Sequence, residues 1–227
     1  MKMLNEIREG IVSEETERVL MSRVSSHDFK EEDAVHTFYK NAGVNAHNKT
    51  MLEKINSPTV SIKAITSKPG KKPLKVDPDT GRIEKTPFFD NLSVKIGARV
   101  CLTINVNTVD DLVNGALGRV VGIETYANNS VKAIIVRFDD ENVGCLQRMR
   151  YPGLADKYKN VNGTPIFRHE FDFQVRKKHA ASAKIIQIPL GLAWAFTSHK
   201  LQVITTNFFH QTTTTKEKQR FQCTTYL

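Results

Sequence analysis

LSVKIGARVCLTINVNTVDDLVNGALGRVVG, residues 92–122, decides how the middle of this chain folds. Val94, Ile96, Ala98, Val100, Leu102, Ile104 and Val106 stand at every second position, separated by mostly polar or small residues. A period of two puts one row of side chains on a buried face. The stretch therefore reads as a strand pair or one long bent strand, with Gly97 as a candidate bulge. Asn114-Gly115 and Gly118 supply turn chemistry. Val120 to Thr125 and Val131 to Asp139 read as two further strands, and Phe167, His169, Phe171, Phe173 and Val175 alternate again. Several short strands with glycine turns predict a small barrel of the SH3-like or OB kind.

Toward the N-terminus the period changes. Ser13 before Glu14, Glu15 and Glu17 is a helix start, with a capping hydroxyl and acids where the helix dipole favours them. Ala34 to Tyr39 reads as a short strand. Val44, His47, Met51 and Ile55 then fall at spacings of three and four, which predicts a helix. Residues 57–87 are loop-rich, with Lys68-Pro-Gly-Lys-Lys-Pro and Asp77-Pro-Asp-Thr-Gly81 as turns. Toward the C-terminus, Lys184 to Ile188 reads as a strand ended by Pro189, and Leu190 to Gln202 as a helix. After residue 202 the threonine-rich sequence has no apolar period, and a poorly ordered tail is expected.

Composition narrows the chemistry. Of 227 residues 40% are hydrophobic, enough for a packed core, and no run reaches the roughly 18 apolar residues of a membrane span. Cys101, Cys145 and Cys223 are too few and too widely spaced for a disulfide framework or a zinc site. The formal net charge is +9. Residues 1–50 hold seven Lys/Arg against nine Asp/Glu, residues 151–227 eleven against four. A basic C-terminal half favours a polyanionic partner. The phosphate-loop pattern G-x-x-x-x-G-K-[ST] does not occur in these residues. AIIVRFDDE, residues 133–141, has the form of an apolar strand ending in metal-binding acids, but without a phosphate loop it reads as an exposed acidic turn. Ser198-His199 is no nucleophile–base pair, since adjacent helical residues do not face each other, and no catalytic residue is expected. Trp194, Thr197, His199, Lys200 and Gln202 are more informative: their polar groups suit phosphate and sugar contacts, and an exposed Trp194 could stack on a base.

Those residues lie in PLGLAWAFTSHKLQ, residues 189–202, which resembles the fifth helicase motif of the Pif family, a RecD-like branch of superfamily-one DNA helicases. Residues 92–122 are similar to that family's I-G-A-x-V…G-L-V-N-G-x-x-G-x-V stretch. TFYKNAGVNAHNKTML, residues 37–52, resembles its T-N-x-x-V-x-x-H-N segment, and residues 4–23 resemble the link leaving its first RecA-like domain. The resemblance implies an α/β fold: a partial RecA-like domain, of the P-loop NTPase type, carrying an inserted small SH3-like β-barrel. It divides the chain into 1–30 (end of the first RecA-like domain and linker), 31–90 (start of the second), 91–178 (the insertion and flanking strands), 179–202 (the rest of the second domain) and 203–227 (an unrelated tail).

The resemblance also implies a function, the C-terminal part of an ATP-dependent 5′-to-3′ DNA helicase. Thr197, His199, Lys200 and Gln202 would contact single-stranded DNA, with Asn41, His47 and Asn48 along the same path. ATP and Mg²⁺ serve the full-length family, and no other small-molecule substrate and no membrane partner are implied. These 227 residues alone are expected to hydrolyse no ATP and to need no cofactor, because the nucleotide-binding motifs and the arginine of the sixth motif do not occur in them. Val203 stands where the family has glycine. The expected compartment is the nucleus, with mitochondrion or cytoplasm as alternatives. The competing expectations are a non-enzymatic single-strand-binding module and a truncated product without activity.

Overall fold

The computed structural model describes residues 2–22, 35–67, 74–174, 182–198, 200 and 209–211. In chain order the elements are α1 (Lys2–Glu9), α2 (Glu14–Ser22), β1 (Val35–Phe38), α3 (Asn41–Lys54), β2 (Val60–Lys63), β3 (Ile65–Ser67), β4 (Asn91–Val94) and β5 (Arg99–Leu102). There follow β6 (Leu117–Thr125), β7 (Val131–Phe138), α4 (Cys145–Arg150), α5 (Pro152–Lys157), β8 (Thr164–Phe167), β9 (His169–Gln174), β10 (Ser182–Gln187), β11 (Leu190–Leu192), β12 (Ala195–Thr197) and β13 (Phe209–Gln211). The fold is mixed α/β. It divides into a smaller unit, the described residues of Met1–Val44 and Trp194–Leu227, and a larger one, those of Asn45–Ala193.

In the smaller unit β1 lies between β12 and β13 and runs parallel to both. α2 begins where the acidic run predicts it. Glu6 of α1 accepts hydrogen bonds from the Ser13 amide (3.1 Å), the Ser13 hydroxyl (2.6 Å) and the buried Thr16 hydroxyl (2.7 Å), so one carboxylate ties the start of α2 to α1. Over the described residues 190–198 the expected helix does not form. Leu190–Leu192 and Ala195–Thr197 are strands, and Ala193, Trp194, Ala195 and Phe196 are all at most 3% exposed. Gly191 disfavours a helix, and a strand buried on both faces reads as a continuous apolar run that periodicity cannot tell from a buried helix. Of the tail, only Phe209–Gln211 is described, and it pairs with β1 where no ordered element was expected.

The larger unit is built on antiparallel sheets. Five strands pair in the order β11-β5-β6-β7-β8. The two strands expected over Val120–Thr125 and Val131–Asp139 form and pair antiparallel as a β6–β7 hairpin, with register shifts at Val120/Gly122 and Glu124/Thr125. No ladder joins β8 to β11 among the described residues, so this sheet is open rather than closed into a barrel. The long alternating run divides instead of bending. Gly97 has φ +94°, and the turn there sends β4 to pair with β2 and β5 to pair with β6 and β11. Beyond β5 the polar members of the pattern serve a loop: Asn105 accepts from the Asn114 amide and Asn107 from the Val109 amide. The third sheet, β3-β10-β9, covers a satellite core of Ala64, Ile83, Phe88 and Ile185.

Two buried polar residues tie this unit together. Gln187, 0% exposed, donates to the Ile62 and Phe89 carbonyls (2.8 and 3.2 Å) and accepts from the Ile188 amide (2.9 Å). Asp110, 3% exposed, accepts from the Leu146 and Gln147 amides (2.8 Å each), satisfying the open N-terminus of α4. The Asp77 turn forms as expected, its carboxylate accepting from the Asp79 and Thr80 amides. The Asp79 amide bond, followed by a hydrogen bond from the Thr80 side chain, holds its pKa below the usual carboxylate range. The basic turn at residues 68–73 lies outside the described residues.

Candidate nucleic-acid interface

Three of the seven residues singled out by the sequence meet in the smaller unit. Thr197 ends β12 opposite Phe38, the last residue of β1, and is half-buried. Asn41 is exposed and opens α3, three positions beyond β1. Lys200 lies three positions beyond β12, with its ammonium 5.4 Å from the centre of the Phe196 ring. All three follow the carboxyl ends of adjacent parallel strands, the edge at which open α/β sheets bind ligands. The α3 start can sit close to β1 because residue 43 is glycine. A methyl group there would lie 2.8 Å from the Phe38 ring.

His47 and Asn48 stand on later turns of α3, in the larger unit. His47 is half-buried and Asn48 is 6% exposed, so Asn48 offers a strand little accessible surface. His199 and Gln202 lie outside the described residues. Trp194, which an exposed helix would have offered for stacking, is 2% exposed and packs in the core, its carbonyl accepting from the His36 amide at 2.7 Å. It cannot serve as a base platform.

Among the described residues, the acids following β7 are not arranged to hold a magnesium nucleotide. Asp139, at the end of the strand that resembled a metal-binding one, is held by Arg99 at 2.6 and 2.5 Å. Asp140 caps its own turn by accepting from the Asn142 amide, and the Glu141 carbonyl accepts from Arg148. Among the described residues no cluster of His, Cys, Asp or Glu is arranged to hold a metal ion.

A small parallel sheet in one unit and antiparallel sheets in the other make this a mixed α/β protein. Its fold is similar to that of solved Pif1 helicases. Unliganded Pif1 from Bacteroides sp. superposes with a TM-score of 0.63 at 20% identity over 92% of this chain and 42% of that one. Bacteroides Pif1 in complex with ADP-AlF3 and ssDNA gives 0.56 at 20% over 94% and 43%, and Pif1 from Candida albicans 0.57 at 18% over 92% and 46%. At these identities the likeness is one of fold, and the chain spans less than half the length of each helicase. No protein-family model and no curated protein matches the sequence.

Proposed function

We propose that this chain is the C-terminal part of a Pif1-like DNA helicase and that it holds single-stranded DNA at the carboxyl edge of β1 and β12. Asn41, Thr197 and Lys200 contact the DNA backbone there. His199 and Gln202 join them by their places in the motif, and His47 and Asn48, in the larger unit, are assigned to strand contact by the resemblance of their segment alone. The observation that carries this reading is a coincidence of two facts. Two segments that resemble helicase motifs, far apart in sequence, include neighbouring parallel strands, and 92% of the chain superposes on a Pif1 helicase. The five-stranded open sheet stands in this reading for the SH3-like insertion.

ATP hydrolysis belongs to the longer protein, since these residues include no phosphate loop. In that context the activity is DNA unwinding in the nucleus, in repair, recombination or telomere maintenance. The same observation favours a second reading, a strand-binding module without catalysis. Anisotropy of a labelled oligothymidine, run across a salt series beside an ATPase assay, tests both. Binding that weakens with salt, a shallower salt slope for Lys200→Ala by about 0.7, and no ATP hydrolysis are the expected results. DNA-stimulated ATP hydrolysis by these 227 residues would contradict the assignment of the nucleotide site elsewhere. Failure to bind at low salt would remove both readings.

A further inference from the structure

One rung of the five-stranded sheet carries three arginines. Arg99 on β5 stands opposite Arg119 on β6, and Arg119 opposite Arg137 on β7. Directly opposed residues share a face, and neighbouring strands lie about 4.8 Å apart, so the three side chains start within about 10 Å of one another. Like charges in opposed positions disfavour strand pairing. The chain answers this at one position. Asp139 takes both guanidinium nitrogens of Arg99, whose side chain is 13% exposed. Arg119 is half-buried, with one nitrogen donating to the Gly97 carbonyl at 3.3 Å. Arg137 is exposed, and no carboxylate among the described residues pairs with it.

We propose that Arg137, the exposed end of this rung, with Arg119 beside it, binds the phosphate backbone of a single-stranded nucleic acid, separate from the edge of β1 and β12. The planar guanidinium fork matches phosphate oxygens, and a row of them holds a backbone without reading its bases. A second observation separates nucleic acid from an acidic protein partner. The far end of the same hairpin carries Tyr126, 55% exposed, with the Lys132 ammonium 6.0 Å from its ring. An exposed aromatic beside a cation is a stacking platform for a base, and an acidic peptide has no use for it. Rung and platform are separated by roughly 20 Å of strand. The proposal takes its ligand class from the function above but rests on different residues.

The test uses the full chain, labelled oligothymidine and a labelled polyglutamate peptide. Arg137→Ala is expected to weaken oligothymidine binding several-fold and to make the salt slope shallower by about 0.7, the share of one single-strand phosphate contact. Arg137→Lys keeps the charge and should restore most of the slope. Tyr126→Ala should weaken binding with the slope unchanged. Wild-type affinity and slope in Arg137→Ala would overturn the proposal, as would loss of polyglutamate binding with oligothymidine binding intact. If Lys200→Ala weakens binding and Arg137→Ala does not, this site falls and the function above stands. If the wild-type chain binds no oligothymidine, both fall.

Discussion

Ile134 and Ile135 at the middle of β7 are wholly buried in an antiparallel sheet, whereas Thr197 and Lys200 stand half-buried at the end of a parallel strand. The contrast extends to the units around them. Most of the buried aliphatic side chains belong to the larger unit, and its polar residues, Gln187 and Asp110, have their hydrogen bonds turned inward. The smaller unit buries Val35, Ala195 and Phe196 in its sheet and leaves polar groups at one edge. Stability is concentrated in the larger unit, and the strand path at the edge of β1 and β12, by our proposal, belongs to the smaller. Substitutions should therefore separate into those that change unfolding and those that change strand binding.

The largest expected effect is in the antiparallel core. Ile134→Ala removes a fully buried side chain and should cost about 2–5 kcal/mol, seen as a lower urea midpoint. Gln187→Ala leaves two carbonyls without their donor and should cost about 1–3 kcal/mol in the same experiment. In the smaller unit, Gly43→Val forces a side chain against the Phe38 ring and should cost about 1–3 kcal/mol. It should also weaken oligothymidine binding, which the two preceding variants leave unchanged under native conditions. Equal binding losses from all three would break the comparison.

A smaller, pH-dependent effect lies in the larger unit. Burial, helped by a 2.6 Å hydrogen bond to Glu124, pushes the Tyr158 phenol up to about 12. The folded state therefore keeps a proton that the unfolded chain releases near 10. That contribution is complete below pH 10 and is lost as pH rises toward 12. Tyr158→Phe should flatten the fall in stability across that window, and an unchanged slope would contradict it. The smallest stability effect is expected of Lys200→Ala, within about 0.5 kcal/mol. A large loss of stability there would make Lys200 a structural residue.

The parts legible in the sequence were those with a local signal. Ser13 and its glutamates gave the start of α2, the runs Val120–Thr125 and Val131–Asp139 gave the strands β6 and β7, and spacings of three and four gave α3. The errors arose where the deciding contact is distant. Leu190–Phe196 carries no polar side chain because β11 and β12 are largely buried, and only their pairing with β5 and β1 distinguishes strand from helix. The rung of Arg99, Arg119 and Arg137 has no sequence signal, since eighteen or more residues separate its members and strand register alone aligns them. Gln187 likewise looks like an ordinary strand residue until its partners, Ile62 and Phe89, are known. The site residues were found by resemblance to a motif. Geometry then brought Asn41, Thr197 and Lys200 to one edge and turned Trp194 into the core.

Amide hydrogen exchange of the whole chain, with and without saturating oligothymidine, tests the central claim most directly. The account predicts slowed exchange at residues 41–44 and 195–200 when the strand binds. Bound oligothymidine with unchanged exchange in both segments would contradict the assignment of the strand path to the edge of β1 and β12.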